Sequence, residues 1–166
     1  GRAGIGVDNI DIDYATSKGI IVMNTPHGNS ITTAEHTIAM IMSLARQIPD
    51  ANVSTKKGKW EKSKFVGTEI TGKKLGLIGC GNIGSIVVDR AKGLKMSVQV
   101  YDPFLTDDKS KELGIEKVSF EKLLGSSDII SIHTPLTDST RNIINSNNIY
   151  SIKKGAWIIN LSLIHI

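Results

Sequence analysis

The 166 residues contain a single cysteine, Cys80, so no disulfide can close within the chain. A lone thiol suits a reducing cytosol. With no histidine or other base beside it in the sequence, Cys80 reads as filler in a turn and not as a nucleophile. Aromatic residues are scarce, at 5%. A nucleic-acid surface would set aromatic rings among clustered cations, whereas sixteen lysines and only four arginines are scattered along this chain. The net charge of +4 therefore reads as solvated surface, and no nucleic-acid partner is expected. No apolar run approaches the roughly 20 residues that cross a bilayer. The first residues also lack the charged-then-apolar pattern of a secretory leader. No membrane partner and no metal site are expected, and the location expected is cytoplasmic. What remains, 40% hydrophobic and 22% charged residues, is ordinary for a globular domain, in a length sufficient for one core.

One stretch organises the rest. Lys74-Leu-Gly-Leu-Ile-Gly79-Cys-Gly81-Asn-Ile-Gly84 is a short apolar strand running into Gly-x-Gly-x-x-Gly, with Ile83, Val87, Ala91 and Leu94 following at helical spacing. Sixteen glycines make a chance triplet easy, so the strand before and the helix after carry the signal. Gly79 permits a sharp turn, Gly81 lets the backbone approach a pyrophosphate, and Gly84 lets helix and sheet pack closely. The N–H groups of Gly81, Asn82 and Ile83 then lie at a helix N-terminus, where aligned peptide dipoles favour an anion. A second strand, Ser97–Tyr101, runs into Asp102, about 20 positions after the turn, where such folds bind the adenosine ribose hydroxyls. A carboxylate there repels the 2′-phosphate of NADP, and Pro103 and Phe104 follow with no cation to reverse that. NAD is the expected cofactor.

Taken in order, the chain starts with a glycine-rich loop, Gly1 to Asp11, then a short helix from Ile12 to Lys18 closed by Gly19, and a short strand, Ile20–Met23. Thr32-Thr-Ala-Glu35 fits a capping box with Thr32 as N-cap. It opens a helix with Ala34, Ile38, Ile41, Ala45 and Ile48 on one face and Pro49 as its end. Residues 50–72 turn polar and basic around Trp60 and Phe65, as an extended arm docking by those two rings. Beyond the glycine turn, a polar helix from Thr106 ends at Gly114, and Ser119 caps a helix from Phe120 that Gly125 stops. Asp128–His133 is a strand, Ser146 opens a helix ending near Gly155, and Ala156–Asn160 is the last strand. Strands alternating with helices predict an α/β fold, a doubly wound parallel sheet of Rossmann type. Ligands bind such sheets at the carboxyl ends of the strands, where Gly79, Asp102, His133, Thr134 and Asn160 all fall.

From Gly1 to Asn160 the chain resembles the D-isomer-specific 2-hydroxyacid dehydrogenases, and within them the phosphoglycerate dehydrogenase branch. The resemblance rests on Gly-Arg-Ala-Gly-Ile-Gly-Val-Asp-Asn-Ile-Asp, Met-Asn-Thr-Pro-His-Gly-Asn-Ser, Leu-Ala-Arg-Gln-Ile-Pro, Gly-Lys-Trp-Glu, Gly-Cys-Gly-Asn-Ile-Gly, Tyr-Asp-Pro and His-Thr-Pro-Leu in one order. It implies an NAD-binding Rossmann domain over residues 26–160 and, over 1–25, a remnant of a flavodoxin-like substrate domain. It implies that the backbone of Asn82 and Ile83 holds the pyrophosphate in the loop of Gly79, Gly81 and Gly84, that Asp102 is the ribose ligand with Pro103 after it in the cofactor site, that Thr134 lies beside the cofactor, and that Ile5 lines the nicotinamide end. Asn29 and Lys62 match substrate-facing positions, Lys62 as a cation for the phosphate of 3-phosphoglycerate. His133 supports the cofactor and is not the base, which in this family is a later His paired with a Glu; His27, His36 and His165 have no claim to that role. The family's dimers, or tetramers, are built on the helix Ala34–Ile48 and the Trp60 arm.

The family places an Arg that clamps the substrate carboxylate three positions after the Asn that ends the last strand. Here that position is Leu163. Leu161–Ile166 has no family resemblance, and one codon set for it matches a transposase adapter used in sequencing libraries. The expectation is therefore a fragment whose native reading stops near Asn160, with residues 161–166 a non-native tail and no catalytic residue of its own. The resemblance leaves two alternatives: a dehydrogenase for another acid such as glycerate, glyoxylate or lactate, or a non-catalytic NAD-sensing protein of the same fold.

Overall fold

The structure is a computed structural model that describes residues 1–7, 9–26 and 28–161. Strands β1 (Lys74–Ile78), β2 (Ser97–Tyr101), β3 (Glu116–Lys117), β4 (Ile129–Ile132) and β5 (Trp157–Asn160) form one sheet in the order β3-β2-β1-β4-β5. All four pairings are parallel. The chain starts in the centre at β1, builds outward through β2 and β3, and then crosses back to lay β4 against the other side of β1. Strand order reverses there, which opens a crevice at the carboxyl ends of β1 and β4.

The central strands β1 and β4 are largely apolar because helices cover both faces, as parallel sheets require. On one face α2 (Ser30–Arg46) and α4 (Asn82–Gly93) bury Ala34, Ile41, Ala45, Val87, Val88 and Ala91 with Leu75, Leu77 and Ile129. On the other, α6 (Phe120–Ser126) packs Leu123 and Leu124 on Ile78 and Ile130. A buried amide fastens α6 further. Gln99 in β2 is 1% exposed and donates to Ser126 Oγ at 2.8 Å and Ser127 Oγ at 2.9 Å. Asp11 caps α1 (Ile12–Ser17), accepting from the Tyr14 N–H. The expected caps are present at the end of α5 (Asp107–Leu113), on left-handed Gly114, and at the start of α6, on Ser119, but Gly125 does not stop α6, which runs on to Ser126.

Several expectations fail. Ile20–Met23 is not a strand: the Ile20 N–H donates to Ala15 O of α1 at 2.9 Å, Met23 O accepts from the Arg2 N–H at 2.7 Å, and Ile21 is 81% exposed. Helix α2 starts at Ser30, so Thr32 lies inside it and is no N-cap; Asn29 takes that position without a side-chain hydrogen bond. The helix also ends before Pro49. Gln47 turns left-handed, with φ 52°, and the Thr68 N–H takes the freed Ala45 carbonyl at 2.7 Å. Pro49 instead stands in the first turn of α3 (Ile48–Lys56), where its missing N–H costs nothing. The supposed extended arm is thus a helix followed by a 3₁₀ turn at Lys62–Phe65, and Trp60 does not dock on its own chain, being 84% exposed.

The helix expected from Ser146 is only a 3₁₀ turn, Ile149–Ser151. Asparagine side chains take the local backbone there: Asn148 Oδ1 accepts from the Asn145 N–H at 2.9 Å, and Asn145 Oδ1 from the Asn147 N–H at 2.8 Å. Such bonds compete with helix formation. Strand β3, two residues at the sheet edge, was too short to show in the pattern. Leu161 packs against the core, while Leu163, His165 and the rest of residues 162–166, together with His27, lie outside the described residues.

Candidate functional site

The glycine turn, the end of β2 and the end of β4 converge at the crevice. Gly79 follows β1 with φ 94°, and its N–H donates to Tyr101 O at 2.9 Å. A Cβ on Gly79 would stand 2.7 Å from His133 O and 2.9 Å from Thr134 Cγ2, so the turn and the β4 end touch. A Cβ on Gly84 would stand 2.6 Å from Gly79 O, so the first turn of α4 lies directly on the glycine loop. Gly81 differs from both: a Cβ there would meet nothing within 4 Å among the described residues.

Gly81 is the N-cap of α4, with no side-chain cap and no acidic residue in the first turn. The helix therefore presents Asn82 and Ile83 N–H groups that no intrahelical carbonyl can accept, with the positive end of its dipole behind them. That is the arrangement a pyrophosphate fits, and the space at Gly81 is open for it. Asp102, directly after β2, is half-buried and lies at the rim of the same loop. Its Oδ2 accepts from the Cys80 N–H and its Oδ1 from the Phe104 N–H, both at 2.8 Å. The contact with Cys80 was not foreseen; the carboxylate expected at a ribose fastens the glycine turn. Pro103 lies between those bonds, and Phe104 is 92% exposed beyond it.

Cys80 has its thiol pushed up to about 11, first by burial and then by the Asp102 charge. A thiolate is the reactive form. Thiol reagents should therefore label the folded chain far more slowly at pH 8 than the urea-unfolded chain, by at least tenfold, as read by mass spectrometry. Equal rates would mean that the turn is open.

His133 directly follows β4. Its Nε2 lies 2.9 Å from Ser131 Oγ, and burial lowers its imidazole pKa to about 4. The unfolded ring, near 6.5, binds a proton that the folded ring refuses between those values. Stability should accordingly fall as pH drops from about 6.5 towards 4, with a slope from this one group of about 1.4 kcal/mol per unit. Urea titrations of the chain and of His133→Asn check it: the slope should shrink by one proton in the variant, and an unchanged slope would place the titration elsewhere.

The remaining expected residues are not joined to this cluster by any hydrogen bond or ion pair among the described residues. Ile5 sits in the first loop, its carbonyl held by Asn24 Nδ2 at 3.0 Å. Asn29 is the N-cap of α2, and Lys62 opens the exposed 3₁₀ turn. Beyond Thr134 a cleft of about 430 Å³ runs between the following loop and the end of β5, lined by Thr134, Arg141, Ile144 and Asn160. No group of three or more His, Cys, Asp or Glu among the described residues could hold a metal, and no described helix is long and apolar enough to cross a membrane.

Comparison with known proteins agrees with this geometry. The sequence profile described as D-isomer specific 2-hydroxyacid dehydrogenase, NAD binding domain, matches residues 38–163. The D-3-phosphoglycerate dehydrogenase of Bacillus subtilis is 52% identical over 160 residues, which are 96% of this chain and 30% of that protein. That of Archaeoglobus fulgidus is 48% identical, with the same shares. Among solved structures, a D-lactate dehydrogenase of Aquifex aeolicus, complexed with NAD and lactic acid, superposes with a TM-score of 0.86 at 36% identity, covering 96% of this chain and 48% of that one. The chain thus spans about a third of the length of the curated relatives it matches.

Proposed function

The chain belongs to the D-isomer-specific 2-hydroxyacid dehydrogenase family, matched in its NAD-binding domain, and from that membership we propose that it is the cofactor-binding portion of a D-3-phosphoglycerate dehydrogenase. The parent enzyme oxidises 3-phospho-D-glycerate to 3-phosphohydroxypyruvate, the opening step of serine synthesis. The observation that carries the substrate is the identity, 52% with a phosphoglycerate enzyme against 36% with the lactate enzyme.

In this reading residues 26–160 form the NAD domain, and residues 1–25 belong to the substrate domain. NAD, when bound, supplies the hydride acceptor. The N–H groups at Gly81, Asn82 and Ile83 hold its pyrophosphate, with Gly79 and Gly84 shaping the loop that presents them. Asp102 accepts from the adenosine ribose, with Pro103 and Thr134 alongside, and its bond to the Cys80 N–H keeps loop and ribose site in register. The Ile5 loop, braced by Asn24, borders the nicotinamide end. Asn29 and Lys62 face the substrate, Lys62 meeting its phosphate. His133 takes no proton from substrate, because its half-buried ring is paired with Ser131. No described residue serves as the base, so the chain alone is inactive.

The test is NADH formation. The 166-residue chain with NAD and 3-phosphoglycerate should give none above blank, whereas the full-length gene product should turn over 3-phosphoglycerate in preference to D-lactate and D-glycerate. Preference for D-lactate or D-glycerate would move the assignment to another member of the family, and turnover by the isolated chain would overturn its inactivity.

The reading includes a cytoplasmic homodimer or homotetramer. Supporting this, Met40, Leu44, Ile48 and Trp60 are exposed on α2, on the start of α3 and on the loop beyond it, although each is large and apolar. Light scattering at micromolar concentration should give at least twice the 17.9 kDa chain mass; a clean monomer would count against the interface.

A further inference from the structure

The sheet has a second end. The segments that lead into β1, β4 and β5 bring Lys73, Asp128 and the pair Lys153–Lys154 to its amino edge, around a cleft of about 210 Å³ that Thr68 and half-buried Trp157 also line. Among the described residues Asp128 is the only carboxylate in that wall, and both its oxygens are committed. Oδ1 accepts from Lys153 Nζ at 2.7 Å and Oδ2 from the Lys74 N–H at 2.8 Å. These two bonds, the Lys153 ammonium first, hold its carboxyl below the ordinary range. Lys73 acts on Asp128 only through its charge, and Lys154 makes no ion pair among the described residues. Three ammonium groups thus face one carboxylate, which Lys153 already neutralises.

The backbone adds donors. Residues 153–156 form a turn closed by the Ala156 N–H to Lys153 O at 3.0 Å, with Gly155 at φ 83°. The N–H groups of Lys154 and Gly155 on this turn take no acceptor among the described residues. Two cations in excess, two spare N–H groups and the Thr68 hydroxyl suit an anion with several acceptor oxygens and more than one charge. We propose that this amino-edge cleft binds a phosphate dianion, as inorganic phosphate or as the phosphate of a small ester. The five residues of β1, at about 3.3 Å each, put it roughly 17 Å from the glycine turn. It is therefore separate from the pyrophosphate site, and the inference holds whichever 2-hydroxy acid the parent enzyme uses.

The 166-residue chain carrying Trp60→Phe leaves Trp157 as its only indole, and its emission can be followed in the absence of NAD. Titration with inorganic phosphate at constant ionic strength should give a saturable change, weakened at least tenfold by Lys73→Gln with Lys154→Gln. These changes keep the side-chain stems and should leave the melting temperature unaltered. Glycerol 3-phosphate binding more tightly than inorganic phosphate would identify an ester as the occupant, and equal affinity would identify the free ion; either supports the site. The same change with chloride, no saturable change with either phosphate, or unaltered binding in the double variant would overturn it.

Discussion

Alanine at Gly76 should lower the melting temperature of the chain by on the order of 10 °C. Gly76 lies in the middle of β1, opposite Gln99 on one side and Ile130 on the other. A Cβ there would run into Ser127 Oγ and stand 2.8 Å from Leu123 Cγ, both fully buried. Neither can yield cheaply. Ser127 Oγ accepts from Gln99 Nε2 and donates to the Leu123 carbonyl at 2.7 Å, so moving it takes one of two serine acceptors from a buried amide. Overpacking costs about 1–3 kcal/mol, and an unsatisfied buried polar group about as much again. Against a total stability of about 5–15 kcal/mol the sum is large, and each kcal/mol is worth roughly 2–4 °C in a domain of this size. Gly125→Ala is the control. It lies in α6 itself, where a Cβ would meet only Ser151 O at 3.6 Å, and should be neutral or slightly stabilising. A melting temperature for Gly76→Ala within 2 °C of the parent would show that α6 is not seated on β1 as described.

Alanine at Gly81 should do the opposite: leave stability unchanged and weaken NAD by at least tenfold. The backbone there is extended with φ −77°, and the new methyl would touch nothing among the described residues. Its only possible conflict is with a ligand lying against the helix N-terminus. Alanine at Gly79 or Gly84 meets backbone oxygens at 2.7 or 2.6 Å and should cost stability as well as cofactor. Calorimetry with NAD beside a melting curve for each variant separates the two classes. Unaltered NAD affinity in Gly81→Ala would remove the pyrophosphate from this loop.

The glycine turn was legible in the sequence because its requirements are local and are met by one residue type. A turn with positive φ, a close approach and a tight packing contact each ask for glycine at a fixed offset, and Asp102 follows a strand of recognisable pattern. The helices around it were less legible where one residue serves two purposes. Pro49 can end a helix or open one, and here left-handed Gln47 decides. Ser146 and Thr32 are good caps in isolation, yet the asparagine bonds from 145 to 148 and the early start at Ser30 displaced them. Gln99 was missed because a lone amide within an apolar strand carries no hint that two serines 27 and 28 residues later will receive it. Ile5, Asn29 and Lys62 came from the family resemblance alone, and no hydrogen bond or ion pair among the described residues joins them to the glycine turn.

The central claim is an NAD site whose selectivity rests on Asp102, and titrating the 166-residue chain with NAD and then NADP by calorimetry tests it most directly. The account predicts saturable NAD binding, NADP weaker by at least about 100-fold because its 2′-phosphate meets the carboxylate, and recovery of NADP binding relative to NAD in Asp102→Asn. Equal affinity for the two nucleotides, or no binding of either by a chain that melts cooperatively, would contradict it.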